Sequence, residues 1–132
     1  MLKLIYLVFC ILGLVNGVWM LFFPESWYTD FPAAIPHTGA FNPHFIRDLG
    51  VAFIVLALGF GWCAAHLDRS RTVHLGLTAF FVGHALIHLF EIATARLPST
   101  HWLTDAPGVF APAVILVALA LPAVRKRLGE RT

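Results

Sequence analysis

Four long apolar stretches, separated by shorter polar connections, dominate the pattern of this chain. They cover residues 4–23, 45–65, 73–95 and 109–124. Each approaches the roughly 20 residues that an α-helix needs to cross a hydrocarbon layer about 30 Å thick. The pattern therefore predicts an all-α integral membrane protein, folded as one antiparallel four-helix bundle over residues 1–132.

Composition supports the membrane class and argues against a nucleic-acid partner. The chain is 59% hydrophobic and only 12% charged, which is unusual for a soluble domain. Its formal net charge is +2, but the basic residues lie at helix ends and form no continuous face. Cys10 and Cys63 lie within apolar stretches, where small buried side chains are expected.

The distribution of basic residues predicts the orientation. Lys and Arg precede the first helix, separate the second from the third and follow the fourth, whereas connections 24–44 and 97–108 contain none. By the positive-inside rule, both termini are cytoplasmic in a cell inner (plasma) membrane, and the first helix is uncleaved. The basic tail after Val124 is expected to anchor on anionic lipid.

Residues 24–43 form a long, proline-rich and aromatic connection. A connection of this kind is expected to fold over the end of the bundle as a lid. At its end, Asn42 is predicted to cap a helix that begins with Pro43. In the first helix, Gly13 and Gly17 are spaced one turn apart, as is typical of closely packed membrane helices.

The stretch 83–91 suggests a site. His84, His88 and Glu91 are spaced i, i+4 and i+7, so they share one stripe of a helix inside an apolar stretch. Ionisable side chains in lipid are unfavourable, so this stripe is expected to face protein or a ligand. The cap at Asn42 places a second polar patch on one face of the preceding helix: His44, Arg47 and Asp48. Because the two helices are predicted to run antiparallel, the two patches lie at matching depth and are predicted to meet.

Three interpretations fit these residues. The first is a site for a lipid, quinone or isoprenoid, with one group exchanging protons (His88, Glu91, Asp48) and another contacting the ligand (Arg47, His44, Asn16, Trp27). The second is a single metal ion on His84, His88 and Glu91, such as Zn, Fe or Mn, or less favourably a haem. The third is a structural network, in a homo-oligomer or a non-catalytic subunit of a larger membrane complex. His101 and Asp105, in the second connection, are within reach of the site, although loop residues of these types are more often solvated.

The segment with Pro24, Glu25, Trp27 and Tyr28, followed by the sequence R-D-L-G at 47–50, resembles the DoxX-like and related small four-helix membrane proteins. The resemblance covers the layout of the whole chain. It implies a compact four-helix bundle, with links to quinone-coupled redox chemistry in some members, and it assigns no site residues here.

Overall fold

The computed structural model describes residues 1–129, and that part of the chain is helical without strands. Three helices are long and apolar enough to cross a membrane: α1 (Leu2–Phe22), α3 (Pro43–Ala65) and α4 (Arg71–Ala93). The shorter helices are α2 (Pro24–Asp30), α5 (His101–Thr104), α6 (Ala111–Ala120) and α7 (Pro122–Arg127). The predicted all-α class and three of the four predicted membrane-length helices are confirmed; the complete four-helix bundle stays a prediction.

The fourth apolar stretch differs from its prediction. A π-helical turn, Ala106–Phe110, leads into α6, and together they form an apolar helix over Ala106–Ala120. This helix ends before Leu121, which is extended with φ −76° and ψ 123°. A proline disfavours helical geometry at the residue before it, so α6 ends before Leu121 and Pro122 starts the separate helix α7. The predicted single helix over 109–124 is therefore wrong at both boundaries.

The cap before α3 is confirmed. The Asn42 side chain accepts a hydrogen bond of 3.1 Å from the backbone N–H of Phe45, and Pro43 is the first helical residue. Proline suits this position because its missing N–H would have no partner inside the helix. The helix therefore starts two residues before the predicted stretch 45–65.

Helices α1 and α3 run antiparallel with their backbones in close contact. A Cβ atom built on Gly17 would lie 2.7 Å from the carbonyl oxygen of Gly50, and one built on Gly13 would lie 3.0 Å from the Cβ of Ala57. Only glycine allows the approach at Gly17, which confirms the predicted role of the Gly13 and Gly17 pair in helix packing.

Two clusters of buried side chains lie at opposite ends of the helices. At the end where α1 begins, here called the terminal end, the N–H of Leu2 donates to the carbonyl of Leu128 at 3.1 Å. At the other end, here called the loop end, Met20, Trp27 and Ile46 pack together. The first connection thus packs α2 against the ends of α1 and α3, and its role as a lid stays a prediction. The second connection, 94–110, follows α4 at this same end.

Candidate functional site

His88 is the membrane-helix member of a buried polar chain at the loop end. It lies near the end of α4, and its side chain is 14% exposed. Its Nδ1 lies 2.7 Å from Oδ2 of Asp105, whose side chain is only 2% exposed. A buried carboxylate in an apolar setting needs such a partner, because an unpaired charge there is strongly unfavourable.

Asp105 is held by a second imidazole from its own connection. The short helix α5 places His101 one turn before Asp105, so His101 Nδ1 lies 3.0 Å and 3.1 Å from the two carboxylate oxygens. The His101 side chain is fully buried. The π-helical turn then closes on the Asp105 carbonyl, which accepts from the N–H groups of Val109 and Phe110. Local helical spacing therefore positions this pair.

The first connection supplies the exposed end of the chain of contacts. The short 3₁₀ helix Ile35–Thr38 follows Ala34, which has φ +51°, and it presents His37 to His101. His37 Nδ1 lies 3.2 Å from His101 Nε2, and the two rings meet edge to face. We call His88, Asp105, His101 and His37 the His–Asp chain. It links an exposed imidazole to one on a membrane-length helix.

The pattern of contacts constrains where the hydrogens lie. Both imidazoles face the Asp105 carboxylate through Nδ1, and when that carboxylate is ionised it can only accept, so each ring then donates from Nδ1. In the neutral His88 ring, Nε2 is then the atom that can accept a proton. A carboxylate that orients an imidazole in this way also stabilises the imidazolium that forms on protonation. The geometry thus suits His88 as a base.

The predicted metal ligands are arranged differently. His84 meets the His88 ring edge to face, with centroids 4.7 Å apart, and stacks on Phe80. Glu91 is half-buried. Within residues 1–129, no group of three or more His, Cys, Asp or Glu side chains is placed to hold a metal ion. The structure therefore does not assemble His84, His88 and Glu91 as a ligand set.

The second predicted patch lies apart from His88. His44 Nε2 and Asp48 Oδ2 are 3.5 Å apart, and their side chains are 88% and 66% exposed. Arg47 is also exposed and lines a separate groove. Among the hydrogen bonds and ion pairs of the described residues, none connects this patch to His88 or Glu91. The predicted meeting of the two patches therefore has no hydrogen bond or ion pair to support it, and the partner of His88 is Asp105 of the following connection.

Asn16 and Trp27, predicted to contact a ligand, contact each other. Trp27 Nε1 donates to Asn16 Oδ1 at 2.9 Å, and Asn16 Nδ2 lies 3.5 Å from the sulfur of Met20. In an apolar setting such a bond satisfies both polar groups. The pair fastens α2 to α1 and so positions the first connection.

Sequence reasoning missed three members of the His–Asp chain. His101 and Asp105 were considered within reach of the site but were not assigned to it, because solvation is the more frequent state of such loop residues; both are buried. Their i, i+4 spacing was a usable signal, since it matches the spacing of His84 and His88. His37 had no such signal, because its contact with His101 spans 64 positions.

An apolar groove of about 480 Å³ opens between α4 and α6. Ala85 and Leu89 of its wall flank His88 along α4, while Trp102 and Phe110 flank Asp105 along the second connection. The complete lining is Val82, Ala85, Leu86, Leu89, Trp102, Phe110, Ala113, Val114 and Val117. The lining is apolar, and it contains neighbours of His88 and Asp105 in the sequence but neither of these two residues.

In comparisons with known proteins, no protein-family model, no curated protein and no solved structure matches the chain.

Proposed function

We propose that this protein binds a lipid-soluble molecule in the groove between α4 and α6, and that His88 exchanges a proton with it. The observation that supports this proposal is the contact of 2.7 Å between His88 Nδ1 and the buried Asp105 carboxylate. A lipid, quinone or isoprenoid is the fitting ligand class, because such a molecule reaches the groove from within the bilayer.

Each part of the His–Asp chain has a distinct role in this proposal. His88 Nε2 takes a proton from the ligand or returns it, while Asp105 orients the imidazole and balances its charge. His101 holds Asp105 in place and also contacts the exposed His37. The His101 imidazole therefore lies between the buried carboxylate and the exposed imidazole. The groove excludes water from the apolar part of the ligand.

The membrane arrangement is part of the proposal. Four crossings, with both termini cytoplasmic in the inner membrane, agree with the basic residues at the terminal end and with the antiparallel contact of α1 and α3. Labelling of an Ile35→Cys variant, with Cys10 and Cys63 replaced by Ala, checks this. Reaction with an impermeant thiol reagent added outside spheroplasts supports the arrangement, and reaction only from the cytoplasmic side contradicts it.

Binding can be measured with the intrinsic fluorescence of Trp102, which lines the groove. The full chain, purified without a histidine tag, is titrated with a short-chain ubiquinone, and quenching is compared with that of a Trp102→Phe variant. The resemblance to DoxX-like proteins stays a prediction, but it makes a quinone the first compound to test.

His88→Gln keeps a polar side chain but removes the base, and is expected to weaken quenching roughly tenfold or more, as for loss of a charge-assisted hydrogen bond in a buried site. The matched control is His44→Gln, which makes the same substitution at an exposed histidine. It should leave the titration unchanged. The proposal is overturned if the wild type, His88→Gln and His44→Gln give equal titrations. It is also overturned if the quenching persists in Trp102→Phe.

A further inference from the structure

A second groove, on a different face of the loop end, has a mixed lining. It has a volume of about 620 Å³ and lies where α1 ends and α3 begins. Its walls combine exposed phenylalanines with an acid, a base and two hydroxyls: Phe22, Phe23, Pro24, Glu25, Ser26, Thr29, Phe41, Pro43 and Arg47. It shares no lining residue with the groove between α4 and α6.

We propose that this groove binds the headgroup of a phospholipid that carries a primary ammonium, of the phosphatidylethanolamine type, with its phosphate at Arg47 and its ammonium at Glu25. The charges support this assignment. Arg47 and Glu25 line one groove, yet neither forms an ion pair within residues 1–129. The groove therefore presents one cation and one anion to a ligand that carries both charges.

The height of the groove supports a lipid as the occupant. Two membrane-length helices, α1 and α3, end and begin at its wall, which places it at the depth of the headgroups. Phe22 and Phe23 are 66% and 64% exposed at its rim. Exposed phenylalanines at this depth can pack against the first carbons of the acyl chains, directly beside a polar headgroup.

The hydroxyls of the groove do not compete for the two charged groups. Thr29 Oγ1 lies within hydrogen-bond distance of two acceptors, the Glu25 backbone carbonyl and the Asp30 carboxylate, and Ser26 Oγ donates to the same carboxylate. The Glu25 carboxylate and the Arg47 guanidinium are therefore the groove's charges that are open to a headgroup. A primary ammonium can donate hydrogen bonds to Glu25, whereas a trimethylammonium has no N–H to donate.

Native mass spectrometry of the full chain in mild detergent tests the proposal. Dioleoyl forms of phosphatidylethanolamine, phosphatidylcholine and phosphatidylglycerol are added at equal concentration, and bound lipid is counted. We expect the ethanolamine lipid to bind roughly two- to fivefold better than the choline lipid, the range typical of an exposed ion pair. Glu25→Gln should abolish this preference, and Arg47→Gln should weaken both lipids by a similar factor.

The matched controls are Asp68→Asn and Arg69→Gln, which neutralise an exposed acid and base at the terminal end. They should keep the ethanolamine preference. A wild-type preference for phosphatidylglycerol would indicate a simple cationic patch, and a preference for choline would indicate aromatic capture of the ammonium. Either result overturns the proposal, as does an ethanolamine preference that survives Glu25→Gln.

Discussion

Each end of the molecule contains a buried polar cluster, and the two clusters are built from different chemistry. At the terminal end, Arg125 is 1% exposed; its Nη1 donates to the Tyr6 hydroxyl at 2.7 Å and its Nη2 to the Ser70 hydroxyl at 2.6 Å. At the loop end, the His–Asp chain joins imidazoles to a carboxylate. Arginine keeps its charge and only donates, whereas imidazole and carboxylate both gain and lose protons.

The difference teaches that burial of polar groups does not by itself identify a functional site. The terminal cluster connects α7 to α1 and, through the Ser70 hydroxyl that donates to the Leu67 carbonyl, to the turn before α4. These hydrogen bonds hold α7 against α1. Arg125 was expected to belong to a lipid-facing basic anchor, and that prediction is wrong because the guanidinium is bonded inside the protein.

The largest expected effect on stability is that of Arg125→Ala. The substitution removes the hydrogen bonds from the guanidinium to the Tyr6 and Ser70 hydroxyls and leaves those buried hydroxyls behind, so it should lower the free energy of unfolding by about 2–4 kcal/mol. Unfolding of the purified protein in detergent measures this. Lys126→Ala, at the exposed neighbouring position, should change stability by less than about 0.5 kcal/mol. A loss of that small size for Arg125→Ala would mean that the Arg125 hydrogen bonds do not stabilise the fold.

A smaller effect on stability but a larger one on binding is expected for Asp105→Asn. The neutral amide keeps the shape but cannot orient both imidazoles, so unfolding should be easier by about 1–3 kcal/mol and quinone quenching by the folded protein should weaken. Ser70→Ala, at the terminal cluster, is the matched comparison: it should reduce stability while the quinone titration is unchanged. If both variants alter quenching equally, the contrast between the two clusters is lost.

The smallest effect on stability is expected for His37→Ala, because His37 is exposed. The free energy of unfolding should change by less than about 0.5 kcal/mol. The substitution should instead uncover His101 Nε2, which His37 contacts in the native protein. Diethyl pyrocarbonate labelling, read by peptide mass spectrometry, should modify His37 and His44 in the wild type and His101 only in the variant. Rapid labelling of His101 in the wild type would show that the contact is not maintained.

Features that depend on neighbouring residues could be predicted from the sequence. Hydropathy predicted four membrane-length helices, three of which the structure contains, with a shorter apolar helix in place of the fourth. The Asn42 and Pro43 pattern predicted the start of α3, and the spacing of Gly13 and Gly17 predicted close helix packing. Hydropathy alone did not predict the break at Pro122, because it reports solvent preference and is insensitive to backbone geometry.

The sequence by itself determined that His88 lies on an apolar helix and needs a polar partner, because an ionisable group in lipid is unfavourable wherever the helix sits. It did not determine which partner. The contacts of His88 with Asp105, of His37 with His101 and of Arg125 with Tyr6 span 17, 64 and 119 positions. Only the tertiary structure decided them, since hydrogen bonds form within about 3 Å and the course of the connections sets which side chains come that close.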